Sequence, residues 1–253
     1  MSLIGYIRRL LYAVIIFSIF VMIGSVNAYK EVENNIEEEL LADYNYAEIQ
    51  DIVISGKISD FPQYDAEQML SRNDDFCGWI FIMDTPINYP VVQAPDNEYY
   101  LNHSFEKEYS KFGCVFMSPG TTYDDDNIII HGHNMGKERE EMFSSLLKYE
   151  DKVYAQEHNE IWFSHINGNI EEKYKVFAVV NYDFGNPEDF YYMISNFETE
   201  KEFKDYVEYL ISQSMYKSDF FPENQLLILS TCYNIYGDSH RMLVCASRID
   251  EGV

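Results

Sequence analysis

From Trp79 onward, short apolar runs alternate with clusters of Gly, Pro, Asn and Asp, a rhythm that predicts strands rather than long helices. The runs fall at residues 78–83, 89–93, 113–117, 127–131, 160–164, 173–181, 225–230 and 242–249. That many short strands predict a barrel or a sandwich. Helical spacing interrupts the rhythm at residues 63–70, at 138–149 and after Thr199. In the second of these, Met142, Phe143, Leu146 and Leu147 share one face. In the third, Thr199 with Glu202 makes a capping box for a helix through Ser212. Its apolar positions, Phe203, Tyr206, Val207, Leu210 and Ile211, are predicted to pack on the sheet.

The N-terminal region has a different pattern. Residues 10–28 are almost free of charge, and at ~1.5 Å per residue they are about long enough to cross a hydrocarbon core. Arg8 and Arg9 precede them, which predicts a cytoplasmic N-terminus, a single-pass anchor in the cell membrane and an extracytoplasmic catalytic domain. A cleaved signal peptide is the competing reading, because Val26-Asn27-Ala28 resembles a small-residue cleavage site; both readings export the domain. Between Lys30 and Asp51 lie Glu31, Glu33, Glu37, Glu38, Glu39, Asp43, Glu48 and Asp51, with Ile36, Leu40, Leu41 and Tyr44 as a weak stripe. This predicts a solvated helical stalk. The expected organisation is therefore a cytoplasmic tip and anchor (1–29), an acidic stalk (30–62) and one catalytic domain (63–253).

Charge and cysteine usage narrow the function. A net charge of -25 with no Lys/Arg stripe excludes nucleic acid as a partner. The same acidity either attracts amine-bearing substrates or serves only solubility. Four cysteines occur without any Cys-x-x-Cys pair, which argues against a zinc knuckle or a thioredoxin-like site. Cys77, Cys114 and Cys245 sit in or beside apolar runs and are expected to be buried free thiols. Cys232 alone lies at a polar strand end.

Two strand ends carry chemistry. The run Leu226-Leu227-Ile228-Leu229 ends in Ser230-Thr231-Cys232, with Arg241 nine positions on; the run Ile128-Ile129-Ile130 ends in His131-Gly132-His133-Asn134-Met135. A thiol, an imidazole and a guanidinium on one rim are the groups needed for acyl transfer through a thioester. A free thiol has a pKa near 8.5, so only a few per cent is thiolate at neutral pH. A neighbouring imidazolium favours the thiolate and then protonates a leaving amine. Arg241 can hold a substrate carbonyl or an oxyanion, or simply form a surface ion pair. His103, His158, His165 and His240 lie in polar segments and are read as surface residues, leaving His131 and His133 as contenders for the base. A second His/Cys pair at ligand spacing is missing, so no metal site is expected.

These segments resemble sortases, the cysteine transpeptidases of Gram-positive bacteria. Leu229-Ser230-Thr231-Cys232 with Arg241, and Gly132-His133-Asn134-Met135, match the family's active-site segments. Class B members are resembled by Asn73-Asp74, Gly78-Trp79-Ile80, Tyr89-Pro90-Val91-Val92-Gln93, Asp96-Asn97 and Tyr99-Tyr100-Leu101. The resemblance runs from about Gln63 to Ile249 and implies a closed eight-stranded mixed β-barrel with appended helices, preceded by N-terminal helices and with a helix before the nucleophile strand. It implies Cys232 as nucleophile, His133 as acid and base, and Arg241 as oxyanion and peptide ligand, with no cofactor. The implied partners are secreted proteins bearing a C-terminal sorting motif, cleaved after Thr, and an amine of a peptidoglycan cross-bridge or its lipid-linked precursor. Ser230, Thr231, Tyr191 and Tyr192 are the candidates for peptide contact. Two positions depart from the family: Ile228 stands where Thr is usual, and His131 where an aromatic residue is frequent. L,D-transpeptidases favour Ser/Thr-His-Gly-Cys, which is absent before Cys232, and papain-like peptidases place Cys before His. A tethered binding module without chemistry is the remaining rival, and it requires Cys232 to be buried and unreactive.

Overall fold

The computed structural model describes residues 18–32, 34, 64–93, 96–136, 138–166, 170–183, 190–232 and 240–249, leaving aside the side chains of Ile170, Glu171, Phe190, Tyr191 and Cys232. The chain divides into two compact units, Met1–Asn45 and Tyr46–Val253.

The eight apolar runs become eight strands: β1 (Phe76–Phe81), β2 (Asn88–Gln93), β3 (Phe116–Met117), β4 (Asn127–His131), β5 (Glu160–His165), β6 (Ile170–Asp183), β7 (Leu226–Cys232) and β8 (His240–Arg248). They close in the order β1-β2-β3-β4-β7-β8-β6-β5, with β5 pairing back onto β1. Of the two architectures compatible with the pattern, the chain adopts the barrel, and closure leaves no sheet edge. The pairs β2/β3 and β4/β7 are parallel and the others antiparallel, so the barrel is mixed. Continuous apolar runs suit parallel strands covered on both faces, and Ile128 to Ile130 and Leu226 to Leu229 are fully buried. The strand expected over residues 113–117 is cut to two residues, because Gly113 turns the chain at φ +62° before pairing begins.

Helices accompany the strands. A helix α1 spans residues 18–32, and α2 (Ala66–Arg72) is capped by Asp65, whose side chain accepts from Gln68 N. Met69 of α2 packs with Phe76, Trp79, Tyr100 and Phe105, and the Tyr64 ring stacks on Trp79 at 5.4 Å. Two more helices are α3 (Lys152–Glu157) and α4 (Glu200–Gln213). At α4, Thr199 accepts from Glu202 N as the box requires, but the Glu202 carboxylate takes the Glu198 amide, one residue before the cap. Tyr206, Val207 and Leu210 of α4 are buried against Phe177, Val180, Ile228 and Leu243, with Phe203 and Ile211 partly buried beside them.

Three expectations are corrected. Residues 138–149 do not form one α-helix. Met142 takes a left-handed conformation (φ +53°) and bridges to Asn134, and a 3₁₀ stretch follows over Ser144–Glu150. Burial of Met142, Phe143, Leu146 and Leu147 is nonetheless achieved, and Asp151 caps α3 separately. His165 is not a surface residue: it is buried and stacked on Tyr123 at 4.5 Å. The single-pass membrane anchor, and the placement across a membrane that followed from it, are also overturned. Among the described residues no helix is long and apolar enough to cross a membrane. Residues 1–17 and most of the expected stalk lie outside the described residues.

One buried amide ties α4 and the chain before it to the barrel. Asn127, at the start of β4, donates to Ile194 O (2.7 Å) and to the Tyr206 hydroxyl (3.2 Å), which itself donates to Tyr192 O (2.7 Å). Removing the amide leaves buried acceptors without donors. Asn127→Ala is expected to lower the unfolding free energy by about 2–3 kcal/mol, read from urea midpoints.

Candidate active site

Strand register builds the site. Parallel pairing of β4 with β7 sets Asn127 against Leu226 and His131 against Ser230, and antiparallel pairing of β7 with β8 sets Cys232 against Arg241. Continuing the β4/β7 offset by two residues brings His133 level with Cys232. Two hydrogen bonds extend the alignment past the last ladder pair. The Gly132 amide donates to Ser230 O (3.2 Å), and the Thr231 hydroxyl donates to Gly132 O (2.8 Å). Three neighbouring strands, β4, β7 and β8, thus bring the backbone positions of His133, Cys232 and Arg241 to one end of the barrel.

Glycine is required at the hinge between β4 and His133. A Cβ on Gly132 would lie 2.7 Å from the buried Phe143 ring, whose own amide donates to His133 O (2.9 Å). A second glycine supports the imidazole from the side. Gly113, at φ +62°, packs its Cα where a Cβ would meet Tyr100 O at 2.4 Å and His133 Cδ2 at 3.1 Å.

His133 Nε2 lies 2.6 Å from Leu101 O. A carbonyl only accepts, so Nε2 carries a hydrogen and Nδ1 is the nitrogen left to gain and lose a proton. Leu101 ends a 3₁₀ turn (Tyr99–Leu101) whose entry is fixed by Asp96, which accepts from Glu98 N and Tyr99 N. Leu101 was not foreseen as an orienting group, although the Asp96-x-x-Tyr99 spacing is that of an Asx turn and signals an ordered loop.

His131 has a different environment. Its Nε2 bonds to Ser118 Oγ at 2.7 Å and its ring tilts onto Phe116 at 5.2 Å. Burial, with the Arg241 charge adding to it, pushes its pKa down to about 4. It therefore stays neutral at ordinary pH and cannot supply the positive charge that a thiolate needs. Arg241 is half-buried and donates from Nη1 to His240 O (3.1 Å); His240 is itself held by Asn181 Oδ1 at 2.8 Å.

A cavity of ≈ 200 Å³ opens at this rim, walled by His131, His133, Ser230, Thr231, Arg241 and Tyr192, with Asn97, Leu101, Phe116 and Met193. Of the residues expected to touch peptide, Tyr192 therefore lies at the cavity, buried and edge-on to Tyr182 at 5.0 Å, whereas the Tyr191 side chain lies outside the described residues. Thr231 spends its hydroxyl on Gly132, and Ser230 Oγ is buried with no partner among the described residues. Cys77, Cys114 and Cys245 are free and buried, and burial raises the pKa of Cys77 and Cys245 far above the usual thiol range. Among the described residues no cluster of His, Cys, Asp and Glu is arranged to hold a metal ion.

Comparison with known proteins places this geometry in context. Residues 80–249 match the family model described as a sortase domain. Sortase B of Listeria monocytogenes serovar 1/2a is 30% identical over 225 residues, covering 86% of this chain and 87% of the relative. Among solved structures, sortase B from B. anthracis in complex with AAEK1 superposes with a TM-score of 0.69 at 27% identity, over 84% of this chain and 100% of that one. A Staphylococcus aureus sortase B-substrate complex superposes at 0.64 with 28% identity, over 74% and 85% of the two chains.

Two outcomes follow from the packing around the imidazoles. Gly132→Ala is expected to cost about 1–3 kcal/mol by urea unfolding, because its methyl group must displace the Phe143 ring. His131 has a folded pKa below its ordinary 6.5, so between pH 6.5 and about 4 the unfolded chain binds a proton that the native state refuses. The stability this neutral ring contributes is complete above the unfolded value and is lost as pH falls toward the folded one. Up to about 3 kcal/mol should disappear across that window in the wild type. His131→Gln should remove that slope, and an unchanged slope would contradict the assignment.

Proposed function

The chain belongs to the sortase family of cysteine transpeptidases, with class B members as its relatives, and on that premise we propose that it cuts a C-terminal sorting motif after Thr and transfers the acyl group to a cell-wall amine. The observation that carries this reading is the register that pairs Cys232 with Arg241 and continues β4 toward His133 beside them.

In this mechanism the Cys232 thiolate adds to the Thr carbonyl, and the oxyanion faces the Arg241 guanidinium, whose charge is permanent. Collapse of the tetrahedral adduct keeps the new C–S bond and breaks the C–N bond. His133, protonated at Nδ1, gives its proton to the departing amine. The acyl group then rests on Cys232 as a thioester. An incoming amine from a peptidoglycan cross-bridge or lipid-linked precursor loses a proton to His133 as its nitrogen bonds to the thioester carbon, and breaking of the C–S bond expels the Cys232 thiolate beside the reprotonated imidazole. Cavity wall residues Tyr192, Ser230 and Thr231 are the proposed floor for the peptide, with Tyr191 from the same turn. A substrate complex exists for the Staphylococcus aureus relative, which supports a sorting-motif peptide as partner here. The overall acidity of the chain, a net charge of -25, suits attraction of an amine.

Native-state labelling with a methanethiosulfonate reagent tests the nucleophile. One thiol should react fast and Cys77, Cys114 and Cys245 only after unfolding, with the fast phase slowed in His133→Ala. Residues 64–253 presented with a fluorogenic library of Thr-Gly and Thr-Asn peptides should cleave at least one member. Cys232→Ala should abolish turnover, and Arg241→Ala should lower kcat about 10²–10³-fold. An intact fold that turns over no member sinks the substrate assignment.

A further inference from the structure

A second cavity, of ≈ 390 Å³, lies between α3, the first half of β6 and the segment after α4. It is remote from the rim: Lys175 in its wall pairs with Ser247, whereas Tyr182 further along β6 pairs with Arg241. That separation is about 23 Å at ~3.3 Å per residue. The register of β6 against β8 shifts between Val176 and Ala178, and these residues form part of the wall.

Its charge is opposite to that of the rest of the chain. Lys152, Lys175 and Lys217 border it against one carboxylate, Asp219, on a chain with 18 basic and 43 acidic residues. Lys107, Lys148, Lys173, Lys201 and Lys204 each hold a carboxylate. Among the described residues none of the three cavity lysines has an ion-pair partner. Three ammonium groups around one concavity with a single carboxylate in its lining leave an excess of positive charge there, which an anion relieves. Ammonium groups act as compact point charges with rotatable donors, which suits a phosphate better than the planar fork that grips a carboxylate.

The remaining lining describes the body of the ligand. Lys175 Nζ sits 5.3 Å from the Phe220 ring centre, so charge and a flat apolar surface are adjacent. Tyr216 offers its ring, because its hydroxyl is turned into the protein and buried without a partner among the described residues. The amides of Gln156 and Asn159 line the wall and can serve hydroxyl groups. The volume lies within the ~300–1,000 Å³ range of small-molecule sites. We propose that this cavity binds the phosphate of a polyol or sugar phosphate ester, either free or as a unit of a phosphodiester chain.

Calorimetric titration of the full chain at low salt with inorganic phosphate, glycerol 1-phosphate and poly(glycerol phosphate) tests this without any peptide substrate, so it stands or falls independently of transpeptidation. Glycerol phosphate should bind more tightly than inorganic phosphate, and added salt should weaken it. Lys175→Gln and Lys217→Gln should each weaken it about tenfold. Lys201→Gln, whose ammonium pairs with Asp205 on α4, should leave it unchanged. Binding of the polymer but not the monomer supports a phosphodiester chain, and equal binding per phosphate supports the free ester. Absence of binding by all three probes, or an equal loss in Lys201→Gln, overturns the proposal.

Discussion

Parallel pairing between β4 and β7 is the constraint on which the rest of the molecule depends. Side chains in a strand alternate between faces, so a slip of one residue would exchange the buried set for the opposite one. Here both strands are apolar on both faces, and the alternation within each strand specifies little. Register is instead pinned at the two ends. Asn127 grips the chain before α4 at one end, and the Thr231 hydroxyl grips Gly132 at the other. With both ends fixed, the residue after β4 that bears the imidazole and the last residue of β7 stand at the same level of the register. Without them, the site would be a list of residues lacking a common plane.

The two histidines show how fold sorts chemically identical groups. His131 and His133 are separated only by Gly132 and wall the same cavity, yet one is bonded to a serine hydroxyl and the other to a main-chain oxygen. Their difference comes from neighbours distant in sequence: Ser118 and Phe116 for the first, Leu101 and Gly113 for the second. Burial and the neighbouring Arg241 guanidinium hold the His131 ring neutral, whereas the His133 ring is held by the 3₁₀ turn.

Most of the barrel could be read from the chain because strand-forming information was local: Val, Ile and Leu runs bounded by turn residues. The elements that escaped were decided by tertiary contacts. Residues 138–149 had the apolar spacing of a helix, but Met142 pairs with Asn134 and the chain tightens into a 3₁₀ stretch instead. His165 looked polar by its neighbours, yet its strand packs it on Tyr123. At the candidate site, the strand ends at His131, Cys232 and His240 were legible because apolar runs begin or end there. The Leu101 carbonyl was not, since a backbone acceptor has no letter of its own. The N-terminal apolar stretch suggested a membrane span, and among the described residues no helix is long and apolar enough to make one.

The hydrogen bond from Thr231 to Gly132 joins positions 99 residues apart. Contacts of such long sequence separation close late, because a large loop must be ordered before they form. Synthesis from the N-terminus therefore exposes His133 well before Cys232 exists, and Arg241 arrives after both. Cys232 is thus made last but one of the three, and the barrel cannot close until β7 and β8 are both present to join β4 to β6.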